Sequence, residues 1–423
     1  MKVKRLKMQS FRGIGDLTLD FNQNEPTILI GINGVGKSSI IECLAILLSR
    51  FTSSIQHSTP SGRLFTEEDI TNGEKETHNE VNISFDSEEI TWSLTKVKKG
   101  RNKDTSSNLS AMTKVAENIK ENLHISHIFN IPIVVYYSTN RAVLDIPLKI
   151  RTKHSFEQID AYENALTGNA ITGLGSEFRI FFEWFRRQED LENELRLENN
   201  AAYRDKQLEA VRQAISSLIP DFSNLRVRRS PLRMTLQKQG EELIVNQLSD
   251  GEKCLLAMVG DLARRLAIAN PGLPDPLQGS GIILIDEIEL HLHPKWQRGI
   301  IPDLTRTFPN CQFIVTTHSP QVISDVKPEG IYLLEKTDQG VIAKQPESSF
   351  GRDSNRILED LMDVPERPQE IKDSLLELFR MIDAGNLESA RNLRQQLANE
   401  IGIDEPEFVK ADVLIRRKEI LNR

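Results

Sequence analysis

Gly31-Ile32-Asn33-Gly34-Val35-Gly36-Lys37-Ser38 is the stretch that decides the fold. Its spacing is G-x-x-x-x-G-K-S, and Ser39 follows directly. Glycines at 31, 34 and 36 let the chain curl so that backbone N–H groups face an anion. Thr27-Ile28-Leu29-Ile30 in front of it is short and wholly apolar, like a buried strand. Behind it, Lys37 to about Ser49 reads as a helix whose positive end points at the same anion. In this context the loop is a phosphate-binding loop. Lys37 should reach the β- and γ-phosphates of ATP, and the Ser38 hydroxyl should hold Mg²⁺. Asn33 and Ser39 complete the set of loop residues around the nucleotide. Before the loop, Val3–Phe11 and Asp16–Phe21 read as two strands joined by a turn at Arg12-Gly13. Leu17, Leu19 and Phe21 there alternate with Thr18 and Asp20.

Two later segments narrow the class. Gln247-Leu248-Ser249-Asp250-Gly251-Glu252-Lys253 precedes a helical run from Cys254 to about Ala269. Ser249 and Gly251 could donate to a phosphate at that helix's positive end, or simply cap it. Ile282-Ile283-Leu284-Ile285-Asp286-Glu287 is a buried strand ending in two acids. Asp286 is expected in the Mg²⁺ shell, and Glu287 is expected to polarise the attacking water as general base. The strand Gln312–Thr316 leads to Thr317-His318-Ser319, where His318 can sense the γ-phosphate.

In this order, the motifs resemble those of ABC-type ATPases, whose signature is LSGGE. Within them the RecF, Rad50, SMC and OLD branch is the nearer match, on Phe11-Arg12-Gly13, the GxNGxGKSS form of Gly31–Ser39, and Glu289-Leu290-His291-Leu292-His293-Pro294. The resemblance implies an α/β head that dimerises so that the phosphate loop of one copy faces Ser249 and Gly251 of the other. It also implies that Arg12 lies near the nucleotide and that Asn140 takes the Q-loop position. Asp250 stands where the signature has its second glycine, which implies slow or conditional hydrolysis. Along the whole chain, Ser349–Arg356, Pro365–Pro368 and the IDEIELHLHP and THSPQ strings resemble the PtuA-like ATPases of Septu and retron anti-phage defence. That implies a homodimer or higher homo-oligomer, an HNH nuclease subunit as partner, and DNA contact directly or through it. The alternatives are a RecF-like repair ATPase that clamps DNA itself and, further off, a transporter motor.

The remaining sequence bounds these readings. The 423 residues are 39% hydrophobic and 27% charged, with a formal net charge of −8, so no coat of positive charge is expected. No run of about 18 apolar residues suggests a membrane span. Met1–Ser10 lacks the apolar stretch of a signal peptide, so a cytoplasmic protein is expected. Cys43, Cys254 and Cys311 fit neither a disulfide scaffold nor a zinc site. The expected layout is a head from 1–150 and 223–345, a helical insertion at 151–222 and a helical tail at 346–423. Between Lys37 and Ser249 no heptad pattern persists, which excludes a long coiled coil. A hairpin is expected at Asn79–Phe85 and Glu88–Val97, with Lys96, Lys98, Lys99, Arg101 and Lys103 at its tip, either solvated or contacting DNA. Phe178, Phe181, Phe182 and Phe185 mark a helix face, more simply core than ligand site. Leu225–Val245 reads as two strands whose Arg226, Arg228 and Arg229 face solvent or a phosphate backbone. His291 and His293 suggest a D-loop rather than a metal site. Three short helices are expected at 369–383, 386–400 and 406–421, with Gly385 and Gly402 as stops.

Overall fold

The computed structural model describes residues 1–59, 61–126, 128–141, 156–167, 174–198 and 201–421. Those of 142–155, 168–173 and 199–200 that belong to the expected head and insertion lie outside this set. The N-terminal part runs β1 (Lys2–Gln9), β2 (Leu17–Asp20), β3 (Thr27–Ile30), α1 (Lys37–Gln56), β4 (Glu76–Phe85), β5 (Glu88–Val97), α2 (Ser110–Ile125) and β6 (Ile133–Tyr137). Then come α3 (Leu174–Glu198), α4 (Lys206–Leu218), β7 (Phe222–Arg229), β8 (Leu232–Lys238), β9 (Glu241–Ile244) and α5 (Asp250–Ala269). β10 (Gly281–Ile285), α6 (Pro294–Thr307), β11 (Cys311–Thr316), α7 (Pro320–Ile323), β12 (Ile331–Thr337) and β13 (Gly340–Lys344) follow. The chain ends in α8 (Ser354–Met362), α9 (Gln369–Asp383), α10 (Leu387–Ile401) and α11 (Pro406–Leu421).

The central sheet has the order β13-β12-β3-β11-β10-β6. β12, β3, β11, β10 and β6 are mutually parallel, and only β13 runs against its neighbour. β3, β6, β10 and β11 are buried along their whole length, as parallel strands covered on both faces must be. Parallel pairing puts the C-terminal ends of these strands on one edge, where open α/β sheets bind ligands. The loops after β3, β10, β11 and β6 therefore converge, although they are far apart in sequence.

An antiparallel sheet, β2-β1-β4-β5, makes a second layer. α1 touches β4 in that layer and β6, β10 and β11 in the central sheet. Its length and apolar composition would suffice to cross a membrane, but most of it is buried inside the protein. Trp92 on β5 fixes it: the indole Nε1 donates to Leu47 O at 3.0 Å and the ring stacks on Phe51. Gln312 on β11 ties the layers together, accepting from Val3 N at 2.6 Å and donating to Val3 O at 3.0 Å.

The hairpin β4–β5 forms as expected, with β4 beginning at Glu76, but its turn is Asp86-Ser87, both at positive φ. Of the basic residues expected at the tip, Lys96 lies near the end of β5 and Lys98, Lys99, Arg101 and Lys103 follow it, opposite the turn. There Lys98 Nζ donates to Glu74 O at 2.6 Å. Leu225–Val245 is part of a three-stranded antiparallel sheet, β7-β8-β9, rather than two strands. Its arginines are held by acids: Arg226 and Arg228 share Glu242 at 3.0 and 2.6 Å, and Arg229 pairs with Glu189 and Asp190. The aromatic face of α3 is core. Phe178, Phe181, Phe182 and Phe185 are buried, and Phe181 packs so closely on Gly260 of α5 that a Cβ there would meet its ring at 2.9 Å.

Residues Met1–Asp353 and Ser354–Arg423 form two compact units. The second has its own apolar core, including Leu378, Ile382, Ala390, Leu397, Phe408 and Ile415. Its helices match the expected spans within one residue. Gly385 and Gly402, both at positive φ, make the turns between them.

Candidate functional site

The loop between β3 and α1 needs its glycines for two reasons. Gly31, Gly34 and Gly36 have φ of 144°, 78° and 115°, which L side chains rarely adopt. A Cβ on Gly31 would also meet Leu334 O at 2.6 Å, and one on Gly36 would press on Ile14. Ile14 belongs to the loop after β1. Its carbonyl accepts from Val341 N at 2.7 Å, so β13 holds that loop against the glycines. This contact brings Arg12 and Gly13 to the same cavity of about 300 Å³ as Asn33, Gly34, Gly36, Lys37, Ser38 and Ser39. Arg12 is steadied by Asp69, with Nε donating to Oδ1 at 2.7 Å, and lies over the Phe11 ring.

From the other strands, Glu287, His318 and Lys336 line the same cavity. Lys37 Nζ donates to Gly31 O and Ile32 O at 2.8 and 3.0 Å. Burial lowers the Lys37 ammonium from its ordinary value, against the attraction of Asp286, Glu287 and Glu289. Ser38 Oγ donates to Asp286 Oδ1 at 3.0 Å. Thr316 Oγ1 donates to the same Oδ1 at 2.6 Å and accepts from Glu287 N at 2.7 Å. A hydroxyl and a carboxylate oxygen converging at the foot of a phosphate loop are the hard donors that Mg²⁺ takes. The residues present fit that ion.

Glu287 has φ 48°, a left-handed backbone that costs about 1–2 kcal/mol in an L residue. Such a conformation persists where its surroundings over-determine it. Thr316 holds the amide on one side of Glu287. Arg141 holds the peptides on both sides: Nη1 donates to Asp286 O at 2.5 Å and Nη2 donates to Glu287 O. Glu289 clamps the next loop: Thr317 Oγ1 donates to its Oε2 at 2.7 Å and His318 N to its Oε1 at 2.5 Å. A carboxylate beside a rigid turn, a histidine and a lysine at a phosphate loop can together bind a polyphosphate and activate a water against it.

Ser249, Gly251 and Asn140 are not among the residues lining this cavity. Ser249 is exposed and caps α5. Of the two roles left open for it, the single chain shows the cap, and its hydroxyl donates to Glu252 Oε2 at 2.8 Å. Glu252 is held in turn by Lys238 at 2.5 Å. Gly251 lies against the loop before α6, where a Cβ would meet His291 O at 2.2 Å. Asn140 is exposed after β6, and it is the next residue, Arg141, that reaches the backbone carbonyls of Asp286 and Glu287. The sequence reading missed Arg141, Thr316, Glu289 in its clamping position, and Lys336. An arginine following a wholly apolar strand was the one available signal.

The AAA domain family model matches residues 5–223, and a second, an AAA domain described as a putative AbiEii toxin of a type IV TA system, matches residues 145–324. The retron Ec83 probable ATPase of Escherichia coli is 30% identical over 99% of this chain and 87% of its own length. The retron Vc95 probable ATPase of Vibrio cholerae serotype O1 biovar El Tor is 29% identical over 91% of this chain and 83% of its own. The Septu protein PtuA of Bacillus thuringiensis is 25% identical over 91% and 90%. The chain therefore belongs to the AAA-domain family and to that of the retron ATPases, and is an ATPase.

Proposed function

We propose that this chain is a nucleotide-driven switch, in which two copies close on two ATP molecules and thereby regulate a separate HNH nuclease in anti-phage defence. One observation carries the reading. Lys37, Ser38, Asp286, Glu287 and His318 converge on one edge of the central sheet, whereas Ser249 and Gly251 stay outside that cavity on the exposed end of α5. A second copy related by a two-fold axis would bring its α5 to each cavity and complete both sites at once. The head is assigned to 1–150 and 223–345, the insertion to 151–222 and the tail to 346–423.

In this reading Lys37 and the loop amides hold the β- and γ-phosphates, with Arg12 at the mouth. Ser38 and Asp286 hold Mg²⁺, which when bound offsets charge on the phosphate oxygens. Glu287 takes a proton from the attacking water, and His318 donates to the γ-phosphate. Ser249 must give up Glu252 to reach a phosphate of the facing copy. That exchange, together with Asp250, supports slow or conditional hydrolysis. Asn140 remains the proposed Q-loop residue. ATP shifts the open–closed equilibrium only through its different affinity for the two states, and Ser249 and Gly251 supply the difference.

The likeness to the retron ATPases and PtuA supports the defence setting in the cytoplasm, and the resemblance stated above supports the HNH partner. Capture of the tagged chain from its host with ATP present, read by native mass, tests the partner. An HNH protein at fixed stoichiometry is the expected result. An ATP-dependent dimer alone, or one carrying only DNA in a salt-sensitive way, would favour the DNA clamp instead.

A further inference from the structure

Arg141 is 1% exposed, and among the described residues no carboxylate lies within ion-pairing distance of its guanidinium. A desolvated cation that no described carboxylate pairs with stays only where other acceptors are in place. Here the acceptors are the carbonyls of Asp286 and Glu287. These belong to the two peptide planes on either side of the Glu287 Cα. A planar fork that holds both planes sets φ and ψ at Glu287, and with them the direction of its Cα–Cβ bond. Thr316 Oγ1, on the Glu287 amide, holds the first of these planes from its other side. Arg141 is itself anchored, since its carbonyl accepts from the Cys254 thiol of α5 at 3.5 Å.

We propose that Arg141 is the positioning residue for Glu287: it keeps that carboxylate aimed at the attacking water and touches neither ATP nor the water. This rests on the reading of Glu287 as general base. Misplacing a reacting group by about 1 Å can cost about 10²-fold in rate. Lysine offers one compact ammonium in place of the fork, so it supports one plane but not both.

The test uses the full chain with Arg141→Lys and Arg141→Ala, each in the wild-type and the Glu287→Gln backgrounds. Single-turnover ATP hydrolysis, ATP affinity and thermal unfolding are measured for each. Arg141→Ala should lower the hydrolysis rate by about 10–10²-fold. Arg141→Lys should fall between it and wild type, and ATP affinity should change by less than about threefold. In the Glu287→Gln background neither substitution should lower the rate further, because the group they misplace is already inert. Should Arg141→Ala not fold, Arg141→Lys carries the test. A wild-type rate for Arg141→Lys, the same fractional loss in both backgrounds, or a loss that follows ATP affinity would overturn the proposal. A wild-type rate for Glu287→Gln alone would instead remove the general-base reading beneath it.

Discussion

Glu287→Gln should lower ATP hydrolysis by about 10²–10⁴-fold, the usual worth of a positioned general base, and should leave ATP binding intact. The amide has the shape of the carboxylate but cannot take a proton from water. The contacts that shape this turn go to the backbone of Glu287, from Thr316 and Arg141, so the substitution leaves them in place. Ser38, Asp286 and Lys37 are likewise untouched, so ATP should bind and hold the two copies closed. The expected product is an ATP-bound dimer that persists. Phosphate release and native mass in the presence of ATP measure both halves. Hydrolysis at the wild-type rate would assign the proton transfer to another group.

Lys37→Ala acts earlier, on binding. Each hydrogen bond from a charged donor is worth about 1.5–3 kcal/mol, so loss of the ammonium should weaken ATP affinity by about 10–10²-fold or more. Folding should suffer less. Gly31 is partly exposed and Ile32 exposed, so water can replace the ammonium on the two carbonyls that Lys37 now satisfies, and unfolding free energy should change by about 1 kcal/mol. Titration calorimetry and thermal unfolding separate the effects. A large loss of stability with unchanged ATP affinity would make Lys37 a structural residue.

What the sequence disclosed, and what it withheld, follows from the range of the interactions. Gly31 to Ser39 could be read because strand, loop and helix are contiguous and because positive φ demands glycine. Asp286 and Glu287 could be read because acids at the end of four apolar residues are conspicuous. The tail helices were equally plain, with Gly385 and Gly402 as punctuation. Arg141, Thr316 and Glu289 act across strands. Their contacts depend on β6, β10 and β11 being neighbours in that order, which no local pattern encodes. Arg141, which reaches the carbonyls of Asp286 and Glu287, is the residue directly after Asn140. The basic segment is the more conspicuous in sequence, but Asp86-Ser87 has the small polar residues that a tight turn at positive φ takes. Ser249 is open to two roles in sequence, and in the single chain Glu252 three residues on completes a capping box with it.

The central claim is that each catalytic site is built from two copies, and a mixing experiment tests it most directly. Ser249→Arg spoils the surface offered to a facing copy, and Lys37→Ala spoils the phosphate loop. Each variant alone should be inactive. Mixed in equal amounts, they form mixed dimers in which one site pairs two intact halves and the other pairs two damaged ones. The account predicts recovery of about a quarter of wild-type hydrolysis, since random assortment makes about half the dimers mixed and each carries one working site. No recovery, with mixed dimers present by native mass, would contradict it.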